Sequence, residues 1–239
     1  LNDISFSLFE GETIGLGGAS GSGKSTLARC LVNLDSSDSG KVLIQDARTK
    51  LMKQRGALQE IGQDIQYIFQ DPYSSLNPRM TIGEALMEPL ENHSTIKTKA
   101  DKLDRINELL IQVGLKPYHF NRFPHEFSGG QRQRICIARA LLLEPRVIIC
   151  DEAVSALDVS VQAQVLNLLN ELKYEYGLSY IFISHDLNVV RYMSDRIMVL
   201  ENGKILEEAE SDRLITDPQQ AYTKALVSAT RNRIVALSE

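Results

Sequence analysis

One short segment, G-A-S-G-S-G-K-S-T from Gly18 to Thr26, constrains the fold of this chain more than any other. An apolar run at 12–17 precedes it and an apolar-periodic run at 27–34 follows it, which predicts a strand, a loop and a helix starting near Lys24. Glycines in the loop let backbone N–H groups approach an anion without Cβ clashes, and the helix start adds partial positive charge. The segment is therefore predicted to cradle phosphate groups with Gly18, Ala19, Ser20, Gly21, Ser22, Gly23, Lys24, Ser25 and Thr26.

Two residues near the end of this segment have side chains suited to a nucleoside triphosphate. Lys24 is expected to bridge the β- and γ-phosphates, and the hydroxyl of Ser25 is expected to ligate Mg²⁺. The competing interpretation is a glycine- and serine-rich surface loop with an exposed lysine. The loop alone does not identify the class of enzyme, because small-molecule kinases and GTPases share it.

A second predicted strand ends in two carboxylates. The apolar residues V-I-I-C at 147–150 lead directly into Asp151 and Glu152, a pattern typical of a buried parallel strand. Ligands of parallel sheets bind beyond the carboxyl ends of the strands, so Asp151 is predicted to lie near the cradle and hold Mg²⁺. Glu152 points in a different direction and is predicted to polarise an attacking water. The alternative is an acidic pair that only meets solvent.

A second glycine-bearing helix start is F-S-G-G-Q-R-Q-R at 127–134. Ser128 and Gln131 have the spacing of a capping box, and one interpretation is simply a well-capped helix. The other is an anion site, because Gly129 and Gly130 weaken a helix but let a ligand approach its backbone. The first cradle already has its own helix, so this second start is predicted to bind the γ-phosphate held by another copy or a homologue.

The order and spacing of these motifs resemble the ATP-binding subunits of ABC transporters over nearly the whole chain. The resemblance implies a P-loop enzyme that binds ATP and Mg²⁺ and hydrolyses ATP to drive transmembrane transport. The matching stretches are G-A-S-G-S-G-K-S-T at 18–26, I-Q-Y-I-F-Q-D-P at 65–72, F-S-G-G-Q-R-Q-R at 127–134, V-I-I-C-D-E at 147–152, S-A-L-D at 155–158 and I-S-H-D at 183–186.

The resemblance also implies roles for individual residues. Gln70 resembles the Q-loop glutamine, which senses Mg²⁺ and the γ-phosphate and couples to the membrane domain. Residues 128–131 resemble the signature motif that completes the partner's ATP site, and Asp158 belongs to a D-loop at the dimer interface. His185 resembles the switch histidine that contacts the γ-phosphate. The implied catalytic residues are Glu152, His185 and Gln70, and the implied metal ligands are Ser25, Gln70 and Asp151.

A finer resemblance, to dipeptide, oligopeptide and nickel importers, rests on residues 69–90, 123–134, 156–166 and 221–229. It implies import of peptides or a related small solute, chosen by other chains. The implied partners are a second ATP-binding subunit, identical or related, transmembrane permease subunits and, indirectly, an extracytoplasmic solute-binding protein. The chain would be peripheral, at the cytoplasmic face of the inner membrane. The family's adenine-stacking aromatic lies upstream of Leu1, so the resemblance assigns it no residue.

The predicted fold class is α/β. It comprises a P-loop NTPase core with a mostly parallel sheet, an N-terminal antiparallel β portion and an inserted helical subdomain. Ile4, Phe6 and Leu8 are expected to alternate on a strand, and Asn202-Gly203 indicates a hairpin turn. The expected units are 1–75 and 135–210 for the core, 76–134 for the helical subdomain with the signature motif, and 211–239 for a C-terminal helical extension.

Composition bears on the remaining function classes. The net charge of −5 gives no reason to expect nucleic-acid binding, and the apolar runs are too short to span a bilayer. The three cysteines lack metal-ligand spacing and are typical of buried residues in a reducing compartment. The alternative function is a non-transport ABC ATPase acting on nucleic acid or ribosomes. That function would favour a basic face, a long coiled coil or a zinc-bearing insertion, and the sequence has none of these.

Overall fold

The computed structural model describes residues 1–45, 52–54 and 62–236. Short 3-10 segments lie at Pro117–Asn121 and Pro124–Glu126. The strands are β1 (Thr13–Gly17), β2 (Leu43–Gln45), β3 (Met52–Gln54), β4 (Ile65–Ile68), β5 (Val147–Asp151), β6 (Ser179–Ile183), β7 (Arg196–Glu201) and β8 (Lys204–Glu210). The helices are α1 (Lys24–Leu31), α2 (Ile82–His93), α3 (Lys99–Gln112), α4 (Gly129–Leu141), α5 (Val159–Tyr176), α6 (Leu187–Met193), α7 (Ser211–Thr216) and α8 (Ala221–Ala236).

The main sheet has the strand order β4-β5-β6-β1-β7-β8. All neighbours in it pair in parallel except β7 and β8, which are antiparallel. The β7–β8 turn contains Asn202 and Gly203, with φ angles of 49° and 75°, as a two-residue hairpin turn of this handedness requires. A separate antiparallel ribbon joins β2 and β3. The predicted mostly parallel α/β fold is therefore confirmed.

The parallel pairing brings several strand ends to one edge of the sheet. β1 lies between β6 and β7, while β5 lies between β4 and β6. Strands β1 and β6 are buried along their whole length, which explains their continuous apolar sequences. The segments that follow β1, β4, β5 and β6 consequently meet at the carboxyl edge, where parallel sheets bind ligands.

Two large apolar clusters hold the elements in place. The larger joins the helices of the segment 82–141 to the sheet and to α5, and it includes Leu86, Leu110, Ile137, Leu169 and Phe182. The smaller packs α1 against the sheet through residues such as Leu16, Leu27 and Met198. Burial of this apolar surface is the main force that fixes the cradle helix and the strand ends relative to each other.

The predicted N-terminal strand is wrong. Ile4, Phe6 and Leu8 do alternate inward and pack on the smaller cluster, but no strand is assigned to residues 1–12. The backbone of this segment is bonded by a side chain and not by a neighbouring strand: the Arg196 guanidinium donates to the carbonyl of Ser7 at 2.6 Å. The antiparallel β portion near the N-terminus is the β2–β3 ribbon.

The helix ends agree with the sequence patterns. In α3, Ile106 and Leu110 are fully buried, and the helix ends before Gly114, which has a φ of 77°. Gly177 ends α5 in the left-handed conformation at 64°. The expected boundary between residues 134 and 135 falls inside α4, a continuous helix with its N-cap at Ser128. The signature segment and the start of the second core segment therefore share one helix.

Candidate nucleotide-binding site

The loop between β1 and α1 has the backbone conformation that its glycines permit. Gly18, Gly21 and Gly23 have φ angles of 141°, 79° and 106°. A Cβ at Gly18 would lie 2.4 Å from the carbonyl oxygen of Leu200, so the loop packs closely against β7. The amide of Gly203, in the β7–β8 turn, donates to the carbonyl of Ser22 at 3.0 Å. The hairpin therefore supports the outer side of the predicted cradle.

Lys24 lies inside this loop and is 6% exposed. Its Nζ donates to the carbonyls of Gly18 and Ala19, both at 2.8 Å, and contacts the Ser22 hydroxyl at 3.3 Å. Burial lowers the pKa of the ammonium, while the nearby carboxylates of Glu152 and Asp151 act to raise it. The side chain is thus a partly desolvated cation held by neutral oxygens, which an anionic phosphate can replace as partners.

The side chains of Ser25 and Asp151 meet as predicted. The hydroxyl of Ser25 donates to Oδ1 of Asp151 at 3.0 Å. The phenol of Tyr67, in β4, donates to Oδ2 of the same carboxylate at 2.6 Å. Burial and the hydrogen bond to Asp151 raise the pKa of Tyr67 well above its usual value. Hydroxyls on both sides therefore fix the orientation of the Asp151 carboxylate.

The carboxylate of Glu152 connects three strand ends. Nε2 of Gln70, after β4, donates to Oε2 of Glu152 at 2.9 Å, and Nδ1 of His185, after β6, lies 3.5 Å from the same oxygen. The amide of Glu152 donates to the carbonyl of Ile183 at 3.0 Å, and its φ is 49°. The structure thus brings together the three residues that the sequence predicted to be catalytic.

The oxygen donors in this region fit a magnesium ion. Mg²⁺ prefers hard oxygen ligands and is commonly held by one or two carboxylates together with substrate phosphates. The Ser25 hydroxyl and the Asp151 carboxylate lie within 3.0 Å of each other, and Gln70 bonds to the neighbouring Glu152. No group of three His, Cys, Asp or Glu side chains in the described ranges could form a separate metal site.

The second glycine-bearing helix start is a complete capping box. Ser128 Oγ accepts from the Gln131 amide at 3.3 Å, and Gln131 Oε1 accepts from the Ser128 amide at 3.0 Å. Ser128 is exposed. A Cβ added at Gly130 would lie only 2.3 Å from Cγ1 of Val161. A Cβ added at Gly129 would lie 3.5 Å from Leu157, which is an ordinary van der Waals distance. Packing inside this chain therefore explains the glycine at 130, and Gly129 remains the glycine predicted to face a ligand.

Asp158 caps α5, because its carboxylate accepts from the Val161 amide at 2.9 Å and from the Ser160 hydroxyl at 2.8 Å. The Val161 amide and the Ser160 hydroxyl lower the pKa of Asp158. The hydrogen bonds of Asp158 and of the signature segment do not reach the cradle in the described part of the chain. The assignment of these residues to a site completed by another chain stays a prediction.

Two contacts at the cradle were not predicted. No role was predicted for Tyr67, although a hydroxyl on the strand that leads to Gln70 was a usable signal. The hydroxyl of Tyr222, in α8, accepts from the amide of Ala19 at 2.8 Å. The sequence separation between Ala19 and Tyr222 is large, so no local pattern could have indicated that contact.

Several known proteins are similar to this chain. The family model described as "ABC transporter" matches residues 1–155. The oligopeptide transport ATP-binding protein OppF of Bacillus subtilis (strain 168) is 52% identical over 229 residues, which are 96% of this chain and 75% of that protein. The glutathione import ATP-binding protein GsiA of Escherichia coli (strain K12) is 50% identical over 226 residues, which are 95% of this chain but 36% of that protein.

A solved structure also matches. The dimeric post-hydrolysis state of the ATP-binding cassette MJ0796, bound to ADP and Pi, aligns with a TM-score of 0.71 and 29% sequence identity. The match covers 86% of this chain and 88% of that one.

Proposed function

Since this chain belongs to the ABC transporter family, whose ATP-binding proteins hydrolyse ATP, we propose that it powers the import of peptides or a related small solute. The relatives whose names state a cargo are an oligopeptide transport protein and a glutathione import protein. Both cargoes are peptides, which supports this solute class. Within the described residues, no helix is both long and apolar enough to cross a membrane. In this proposal, permease subunits form the path for the solute.

The observation that carries the proposal is the position of the Glu152 carboxylate beside the cradle. It receives a hydrogen bond from Gln70 at 2.9 Å and lies 3.5 Å from His185 Nδ1. A carboxylate held in this way can accept a proton from a water that attacks the γ-phosphate. His185 contacts the γ-phosphate, and Gln70 responds to its presence through the same carboxylate. Each of these three roles is part of the proposal.

Nucleotide binding is assigned to the cradle. The loop at 18–26 encloses the phosphates with backbone N–H groups other than that of Ala19, which donates to Tyr222. Lys24 exchanges its carbonyl partners for phosphate oxygens. Ser25, Asp151 and Gln70 would hold Mg²⁺, which when bound neutralises phosphate charge. Asp151 is already oriented by two hydroxyls, so little reorganisation is needed for its carboxylate to act as a ligand.

In this proposal, the signature segment binds the nucleotide that is held by a second ATP-binding subunit. The start of α4 presents an exposed Ser128 and the unhindered Gly129, and a helix start attracts anions. Ser128, Gly129, Gly130 and Gln131 would complete the partner's site, with Asp158 at the same interface. The partner is an identical or related chain. The dimeric state of the similar cassette supports this arrangement.

We place the chain at the cytoplasmic face of the inner membrane, bound peripherally to permease subunits and served indirectly by an extracytoplasmic solute-binding protein. Residues 1–75 and 135–210 would act as the ATPase core, 76–134 as the helical unit that receives the permease, and 211–239 as an extension. The alternative, an ATPase acting on nucleic acid or ribosomes, is not favoured by the names of the relatives or by the net charge of −5.

Dimerisation of the chain in the presence of ATP tests the proposed sharing of the nucleotide site between two subunits. A Glu152→Gln chain should form a dimer in ATP–Mg²⁺ and not in ADP, because ATP persists and joins the two helix starts. Adding Ser128→Arg should prevent association while monomer ATP binding persists, since the arginine fills the anion site. Light scattering measures both, with a related ATP-binding chain mixed in where the native pair is heteromeric. Association that is equally strong in ATP–Mg²⁺, in ADP and without nucleotide would contradict the proposal.

Affinity purification tests the partner class. The chain, tagged and isolated from mildly solubilised membranes, should bring down polytopic permease subunits. Ribosomes or DNA in the same fraction, without permease, would instead favour the non-transport alternative.

A further inference from the structure

The C-terminal helix touches the cradle through one tyrosine. The hydroxyl of Tyr222, in the first turn of α8, accepts from the Ala19 amide at 2.8 Å. The ring of Tyr222 is half-buried and packs on a small apolar cluster that contains Val190, Val199 and Leu214. The hydroxyl is therefore held in place by packing of its own ring and of the helix that carries it.

The geometry of a peptide group explains what this contact controls. Ala19 N–H and the Gly18 carbonyl belong to the same peptide group, and in a trans peptide they point in opposite directions. The Gly18 carbonyl accepts from Lys24 Nζ at 2.8 Å. Tyr222 consequently bonds the N–H edge of this peptide group, while Lys24 bonds its carbonyl edge. A phosphate that binds on the Lys24 side does not compete with Tyr222, but a rotation of the peptide group would break both hydrogen bonds.

The start of α8 is itself anchored to the sheet. The carboxylate of Glu207, in β8, accepts from the amides of Gln219 and Gln220 at 2.7 and 3.0 Å. Burial acts to raise the pKa of Glu207, but the two amides, together with the Thr223 and Lys224 side chains, bring the pKa below its usual value. A charged acceptor thus fixes the backbone immediately before α8, and with it the position of Tyr222.

We propose that Tyr222 is a positioning residue for ATP, which acts by fixing the Gly18–Ala19 peptide plane and with it the backbone of the loop that faces the phosphates. The affinity for ATP then depends on whether the C-terminal helix is docked, and Glu207 is part of that dependence. This inference rests on the proposed assignment of the cradle to ATP. It gives the C-terminal helix α8 a role in the nucleotide site, to which none of the sequence motifs at the site belongs.

The first test replaces only the hydroxyl. In the full chain, Tyr222→Phe should weaken ATP binding by about 2- to 10-fold, the equivalent of one neutral hydrogen bond. Turnover at saturating ATP should change less than about 2-fold, since no catalytic group is altered. Hydrogen exchange at the Ala19 amide should accelerate by about the same 2- to 10-fold. Tyr192→Phe is the matched control, because its hydroxyl bonds to Asn167 at 2.8 Å, away from the cradle.

The second test acts at the anchor. Glu207→Gln should weaken ATP binding in the same direction, and the double variant with Tyr222→Phe should be less than additive, because both act through one contact. Glu208→Gln, whose side chain contacts Arg196, is the control on the same strand.

The outcomes separate this inference from the proposed function. Faster Ala19 exchange with unchanged ATP affinity would overturn the positioning role, and so would unchanged values of both. A wild-type chain that does not bind ATP would contradict the proposed function and the inference together.

Discussion

Two helix starts in this chain both contain glycines and have very different surroundings. The cradle at 18–26 is enclosed by its own chain: Lys24 lies within the loop, Asp151 reaches it from β5, and the β7–β8 turn supports it. The signature segment at 128–131 has a complete capping box and an exposed serine. Glycines and a helix start are common to both, so these features alone do not make a complete phosphate site.

The difference suggests how the proposed nucleotide site would be divided between two subunits. The cradle supplies a cation, an oriented carboxylate and a glutamate that connects three strand ends. The signature segment offers N–H groups and a hydroxyl, which suit a phosphate that is already held elsewhere. Substitutions in the two segments and in the residues around them should therefore have distinct effects.

The largest effect is expected at Glu152. Glu152→Gln keeps the hydrogen-bonding shape but removes the base, so turnover should fall by about 10²-fold or more while ATP affinity remains nearly unchanged. ATPase rates and equilibrium nucleotide binding measure the two quantities. Glu171→Gln, an exposed site on α5, is the control. Normal turnover in the Glu152→Gln protein would remove the catalytic assignment of Glu152.

Lys24→Ala should mainly affect binding. The ammonium is buried and bonds to two loop carbonyls, and its bonds to charged phosphates are worth about 1.5–3 kcal/mol. ATP affinity should therefore fall by about 10- to 100-fold. The matched control is Lys41→Ala at an exposed position. If the Lys24→Ala chain bound ATP like the wild type, the cradle would not be the primary nucleotide site.

The two adjacent glycines of the signature segment should respond differently to alanine. Gly130→Ala places a Cβ 2.3 Å from Val161 Cγ1, and overpacking of this kind costs about 1–3 kcal/mol of folding free energy. The Cβ of Gly129→Ala lies at an ordinary van der Waals distance from its neighbour, and alanine favours the helix. The free energy of unfolding should therefore stay within about 1 kcal/mol of the wild-type value.

Chemical denaturation gives both stabilities, and Val161→Ala in the Gly130→Ala background should recover much of the loss. The Gly129→Ala protein should nevertheless associate more weakly in ATP when combined with Glu152→Gln. Equal destabilisation at both positions would mean that packing, not ligand approach, accounts for both glycines.

The smallest effect is expected at Tyr67. Its phenol donates to Asp151 at 2.6 Å, so Tyr67→Phe should leave one carboxylate oxygen without this donor. The affinity of the nucleotide-bound chain for Mn²⁺, measured by electron paramagnetic resonance, should fall by about 2- to 10-fold. Tyr174→Phe, an 84% exposed tyrosine, serves as the comparison. Unchanged Mn²⁺ affinity would show that Ser25 alone suffices to orient Asp151.

Local patterns predicted much of this molecule. The strand, loop and helix around 18–26, the capping box at Ser128 and the hairpin at Asn202 each depend on a few neighbouring residues. The approach of Ser25 to Asp151 followed from a rule about parallel strand ends rather than from sequence proximity.

Contacts between distant elements were beyond such reasoning. The neighbour of Gly130 is a side chain on α5, and the partner of Ala19 is on α8. Neither contact can be inferred from the sequence before the packing of the helices is known. The N-terminal segment illustrates the converse: its alternating apolar residues correctly indicated which side faces inward, but a strand also needs a neighbouring backbone, and Arg196 occupies the Ser7 carbonyl instead.

The left-handed backbone of Glu152, with a φ of 49°, sets stability against activity. A residue with a Cβ costs about 1–2 kcal/mol in this conformation, whereas glycine and asparagine adopt it readily. Replacing Glu152 by either would therefore be expected to make the chain more resistant to unfolding while removing the proposed base. Under the proposed role, selection for thermal stability alone would drive this position toward inactive proteins.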